Sequence, residues 1–174
     1  MINRRPLETP QILANRASLL TKVKEINGKT IREIDTTGRL SNSKDKGRIG
    51  QVIQVYLGKD PDNDPGEDFP EAGVELKVTG LIANQKSYRA KERLILHMID
   101  YVKDHGISFD QSGLLSKCGT MLITTYQYLP AINGVKTDYG SFPVVDSFVY
   151  KLSDKDVEVM KNDYDTILEK IKAL

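Results

Sequence analysis

The chain has 174 residues, 39% hydrophobic and 28% charged, which suits one soluble globular domain with room for a sizeable core. No apolar run approaches the roughly 20 residues that cross a bilayer, and the N-terminal "MINRRPLETPQ" lacks the apolar region of a secretory signal. Cys118 is the single cysteine and there are two histidines, so an internal disulfide is excluded, a reducing cytoplasmic setting is favoured, and a Cys/His zinc site is not expected.

"ETPQILANRASLLTKVKEINGK" reads as a helix, with Thr9 as N-cap, Pro10 at the first helical position and Gly28 as a stop. A second helix is expected over 45–57, where Ile49, Val52, Ile53, Tyr56 and Leu57 recur at helical spacing. Lys46, Gly50 and Gln54 share another stripe of that helix, and Gly58 ends it. Residues 59–72 form a loop, because Pro61, Pro65, Gly66 and Pro70 exclude regular structure. "GVELKVT" then alternates like a strand, with Val74, Leu76 and Val78 on one face and Glu75, Lys77 and Thr79 on the other. "ERLILHMIDYV" fits a buried strand or a helix, and strand is preferred from its context. "GTMLITTYQYLP" and "FPVVDSFVYKL" are rich in β-branched and aromatic residues and read as strands. Residues 154–173 form a final helix, capped by Ser153 with Asp156 three positions on. Helices, then strands, then a helix predict an α/β (α+β) domain: a mixed central sheet flanked by helices, in a single unit over 1–174.

The net charge of +1 hides an asymmetry. Residues 1–58 carry 11 Lys/Arg against 5 Asp/Glu, whereas residues 59–75 carry one Lys against 7 acids. Basic surfaces attract polyanions, and concentrated carboxylates attract divalent cations. A solvated acidic loop has the same composition.

The acidic block leads into "DFPEAGVELKVTG". Glu75 and Lys77, two apart on a strand, leave one face about 6–7 Å apart. Pro70 and Gly73 let the preceding loop fold back, so that Asp68 can meet Glu75. Two carboxylates can hold Mg²⁺, and a lysine beside them can orient water and offset charge, which is what phosphodiester hydrolysis needs. The spacing alone equally describes a half-exposed strand with charges on its outer face.

With its flanks, the motif resembles the MutH-type mismatch-repair endonucleases and the related type II restriction endonucleases that cut GATC. In that family a helix with a Lys-Gly-x-x-Gly start runs through an aromatic-Leu/Phe-Gly end to D-x6-E-x-K. "KGRIGQVIQVYLG" and the complete "AGVELK" (72–77) match it. "NRA" (15–17), "KERLILHMIDY" (91–101), "SGLLSKCGTMLITTYQYL" (112–129) and the final helix with "NDYDTI" are similar to the restriction branch.

The resemblance implies a restriction-endonuclease-like fold with a cleft over double-stranded DNA and Mg²⁺ as cofactor. Asp68 and Glu75 would ligate the metal, with Leu76, which has no side-chain donor, as a further metal contact. Lys77 would position the attacking water. Lys46 matches a basic residue near the family's active site, and Lys117 a basic position at the start of a later strand that contacts phosphate. It further implies a following recognition or effector domain, with these residues as the N-terminal portion of a longer enzyme; dimerisation on DNA is expected because cutting both strands needs two active sites or two binding events.

One position departs from the family. Eight residues after the lysine matched by Lys46, the family carries a glutamate; here Gln54 keeps the size and hydrogen bonding without the charge. The expected function is therefore a Mg²⁺-dependent type II restriction endonuclease. The alternatives are a catalytically impaired DNA-binding module and a mismatch-repair nicking enzyme.

Overall fold

The computed structural model describes residues 8–42, 47–62, 64, 66–131 and 137–173. The first helix, α1 (Pro10–Lys24), begins as expected: Thr9 Oγ1 accepts from the Ile12 amide at 3.2 Å, and Pro10 opens the helix. A short helix, α2 (Ile31–Ile34), follows under a capping box made by Thr30 and Glu33. The next helix, α3 (Arg48–Leu57), ends at Gly58, whose φ of +101° is the left-handed conformation glycine favours. The expected start of α3 at 45, with Lys46, lies outside the described residues.

The sheet is mixed. Among the described residues its strands are β1 (Glu75–Ala83), β2 (Tyr88–Ala90), β3 (Thr120–Gln127) and β4 (Val144–Lys151), in the order β2-β1-β3-β4. The β1–β3 pair is parallel; β1–β2 and β3–β4 are antiparallel. Parallel pairing needs a long crossover, and residues 84–119 supply it. They include β2 and the helix α4 (Gly113–Cys118). The last helix, α5 (Asp154–Lys172), carries the expected capping box of Ser153 and Asp156.

Strand alternation sends side chains to two cores. On one face Leu76, Leu122, Tyr126 and Val144 pack with Val23, Ile31, Val52 and Ile53 of the first three helices. On the other, Met121 and Ile123 pack with Cys118, Leu152 and partly buried Val157 and Met160 of α5. Gly80 sits across from Tyr126, whose ring carbons lie 3.2 Å from where a Cβ would be, so a side chain there would displace the ring. None of the described helices is long and apolar enough to cross a membrane.

Several expectations need correction. "ERLILHMIDYV" forms no strand. The Lys91 amide pairs with Gly80 O at 2.9 Å, after which the chain leaves β1 as an irregular strap. Leu94 and Leu96 turn into the second core, while Ile95 and Met98 are 73% and 81% exposed. The backbone carbonyl of Leu96 is taken by the Lys77 ammonium, not by a neighbouring strand. Lys117 lies in the last turn of α4, not at the start of a strand. On the β1 face carrying Glu75, the register partners in β3 are Met121 and Ile123, and Glu75 is only 5% exposed, whereas Lys77 and Thr79 are partly exposed.

Candidate active site

The turn between Asp68 and Glu75 is closed by its own backbone. Phe69 and Val74 exchange hydrogen bonds, Phe69 N to Val74 O at 3.0 Å and Val74 N to Phe69 O at 3.2 Å. Gly73, at φ +60°, and Pro70 shape the reversal, with Gly73 N donating to Pro70 O at 3.1 Å. The fold-back puts Asp68 against Glu75: the Asp68 amide donates to Glu75 Oε2 at 3.3 Å.

Asp68 is held from two elements. Its Oδ2 accepts from the Leu76 amide of β1 at 3.0 Å, and its Oδ1 accepts from Gln54 Nε2 of α3 at 3.2 Å. In a strand a residue's N–H and C=O point to the same side. The Leu76 carbonyl therefore leaves β1 on the edge where Asp68 sits, away from β3. Antiparallel β2 covers β1 only from Leu81 to Ala83, so this edge opens beside α3.

Glu75 is balanced by two lysines. Its Oε1 lies 3.2 Å from Lys77 Nζ and 3.5 Å from Lys117 Nζ. A carboxylate at this depth needs such partners, because an uncompensated buried charge is costly. Lys77 also donates to Leu96 O at 2.8 Å. α4 brings Lys117 in, and Ser116 beside it donates to Glu67 Oε1 at 2.8 Å, tying the helix to the acidic loop.

Asp68, Gln54 and Leu76 border a cleft of about 450 Å³, whose lining does not include Glu75, Lys77 or Lys117. Its walls include Arg48, Gly50, Gln54, Asp68, Leu76 and Val78, so the helix stripe of Gly50 and Gln54 does face the site. Arg48 stacks on Tyr139, its guanidinium 4.1 Å from the ring centroid. Lys46 lies outside the described residues.

Tyr139, the Ser116–Glu67 tie and His97 were not expected from the sequence. Tyr139 and the Ser116–Glu67 tie are non-local and leave no periodic signal. His97, on the strap, was absorbed into the supposed strand. Burial lowers its imidazole pKa, and Lys117 and Lys77 act the same way against Asp104 and Glu75. Cys118 follows Lys117, and burial pushes its thiol up to about 11.

The donor set suits a hard divalent cation. Asp68 and Glu75 offer carboxylate oxygens, with the Leu76 carbonyl and the Gln54 amide oxygen nearby. Mg²⁺ is commonly held by one or two carboxylates together with substrate phosphates and waters. Among the described residues there is no cluster of three or more His, Cys, Asp or Glu that could hold a metal alone.

The profile of the family described as "DNA mismatch repair enzyme MutH" matches residues 57–163, more than half of the chain. The chain belongs to the MutH family. The matched span contains Asp68, Glu75, Lys77 and Lys117, and leaves out Gln54. Among curated relatives, the type II restriction enzyme Sau3AI of Staphylococcus aureus is 34% identical over 163 residues, covering 91% of this chain and 30% of the enzyme. The DNA mismatch repair protein MutH of Vibrio vulnificus (strain YJ016) is 24% identical over 161 residues, covering 89% of this chain and 66% of that protein. MutH of Salmonella newport (strain SL254) is 36% identical over 77 residues, covering 42% of this chain and 32% of its own. The chain thus spans under a third of Sau3AI and just under two thirds of the Vibrio MutH.

Proposed function

We propose that this MutH-family domain is a Mg²⁺-dependent endonuclease that hydrolyses phosphodiester bonds in double-stranded DNA, of the type II restriction kind and directed to GATC. The observation that carries the reading is the meeting of Asp68, Glu75 and Lys77 at the start of β1, where Asp68 lines an open cleft, with Lys117 on the Glu75 carboxylate. The identity to Sau3AI over 91% of the chain supports the restriction branch.

Asp68 and Glu75 would hold Mg²⁺, with the Leu76 carbonyl on the same edge. Bound there, the ion would supply the charge neutralisation and water activation that phosphodiester hydrolysis requires. The residues around it do the rest. An ammonium has three donors, and two of those of Lys77 are committed to Glu75 and Leu96 O. That fixes the direction of the third, which orients the attacking water and offsets charge developing on the phosphate. Lys117 faces the phosphate from α4. Gln54 holds Asp68 in place through its amide. The basic stretch over 1–58 supplies sequence-independent attraction to the DNA backbone, and this attraction weakens with salt.

The test is digestion of supercoiled plasmid with Mg²⁺, comparing the chain with Lys77→Ala, on GATC-containing DNA with and without adenine methylation. Cleavage by the unmodified chain, lost in Lys77→Ala, supports the reading. Equal activity in both, or none in either, overturns it. Cutting that ignores GATC removes the site assignment alone.

A second reading, a DNA-binding module that keeps the fold with impaired chemistry, is favoured by Gln54. Metal-independent binding to duplex DNA, without cleavage at any Mg²⁺ concentration, would establish it.

A further inference from the structure

The "NRA" segment at 15–17 carries no part of the chemistry described so far, yet it touches the turn that separates the two carboxylates. Asn15 Nδ2 donates to Glu71 O at 2.8 Å, and Arg16 Nε donates to Ala72 O at 3.1 Å. Inside the turn the amides of Ala72 and Gly73 are already bonded to Phe69 O and Pro70 O. The carbonyls of Glu71 and Ala72 are thus its outward handles, and consecutive residues of α1 hold both.

Arg16 is a costly choice for a structural tie. It is only 9% exposed, and its Nη2 has no hydrogen-bond partner among the described residues. An unsatisfied buried donor is unfavourable. The guanidinium is anchored through Nη1 to Glu8 at 2.8 Å, and Glu8 in turn takes Lys151 of β4 at 2.7 Å. A continuous set of contacts therefore runs from the sheet through Glu8 and Arg16 to Ala72, three residues before Glu75. Ala72 and Val74 are themselves buried at 1% and 0% exposure, so the turn has little freedom except at these carbonyls.

We infer that Asn15 and Arg16 are positioning residues for the metal-holding turn, setting the separation of Asp68 and Glu75 by gripping the carbonyls of Glu71 and Ala72. The inference rests on the nuclease reading above. Outer groups that orient metal ligands commonly affect metal affinity by about 10–100-fold.

Mg²⁺ binding by isothermal titration calorimetry, with metal-free melting in parallel, tests this on the unmodified chain and on Asn15→Asp, Asn15→Gln, Arg16→Met and Arg16→Lys. Asn15→Asp keeps the shape and removes the donor. The expected result is affinity weakened by about tenfold, although the added charge by itself would attract a cation. Asn15→Gln, which keeps the donor, recovers most of the loss. Arg16→Lys binds more tightly than Arg16→Met. Asn15 is partly exposed and keeps the test usable if Arg16→Met does not fold. Variants that melt earlier but bind Mg²⁺ with unmodified affinity overturn the positioning role while leaving the nuclease reading intact. No Mg²⁺ binding by the unmodified chain overturns both.

Discussion

Gln54 donates its side-chain amide to Asp68, Nε2 to Oδ1 at 3.2 Å, across the cleft between α3 and the edge of β1. A glutamine can do this without metal, because amide and carboxylate attract. A glutamate there would face Asp68 acceptor to acceptor, and a cation or a shared proton would be needed to reconcile them.

Gln54→Glu therefore trades metal-free stability for metal affinity. The lost hydrogen bond costs about 1 kcal/mol, a melting temperature lower by roughly 2–4 °C for a chain of this size. With a third carboxylate, Mg²⁺ affinity should rise on the order of tenfold, since cation affinity follows ligand charge. Calorimetry and metal-free melting check both signs. Unchanged affinity would mean that Gln54 does not limit the site.

Lys117 balances Glu75, and on the proposed function it also meets phosphate. Lys117→Met leaves Glu75 its nearer partner, Lys77 at 3.2 Å. The expected outcome is weaker duplex binding with the slope of log affinity against log salt reduced by about one. A slope equal to that of the unmodified chain would confine Lys117 to the ion pair.

Much of the fold was legible because local chemistry dictates it: Thr9 and Pro10 for α1, Gly58 for the end of α3, Ser153 and Asp156 for α5. So was the meeting of Asp68 with Glu75, since Pro70 and Gly73 leave the loop little choice. The strap was not. Its composition fits a strand or a helix, but a strand needs a neighbour, and after the Lys91 amide pairs with Gly80 O the chain leaves β1, with the Leu96 carbonyl accepting from Lys77 instead. The Asn15 and Arg16 contacts span 56 residues of sequence and have no local signature.

Cys118 is fully buried, and its thiol is pushed up to about 11 by that burial. At pH 8 only about one thiol in a thousand would be ionised. A thiol-reactive dye should leave the native chain unlabelled over hours and label it at once in denaturant. Fast native labelling would contradict the packing of α4 against β3.

Glu8 is held below its ordinary value of 4.5, first by its hydrogen bond to Lys151 and then by that to Arg16. A carboxyl lowered in the folded state adds stability that is complete above its unfolded value and is lost as pH falls through the folded one. Glu8→Gln should therefore destabilise the chain at pH 7, by a margin that shrinks below about pH 4.5. Melting across pH 3–7 checks this; a margin independent of pH would remove the ionic contribution.

On the proposed function, Asp68 and Glu75 together hold the divalent metal with which the domain cuts DNA. Single-turnover cleavage of a short duplex containing one GATC, by the unmodified chain and by Glu75→Gln across a Mg²⁺ series, tests it most directly. The expected result is Mg²⁺-dependent strand scission by the unmodified chain, abolished by chelator and reduced at least about a hundredfold in Glu75→Gln. Scission that persists with chelator, or that Glu75→Gln retains in full, would contradict it.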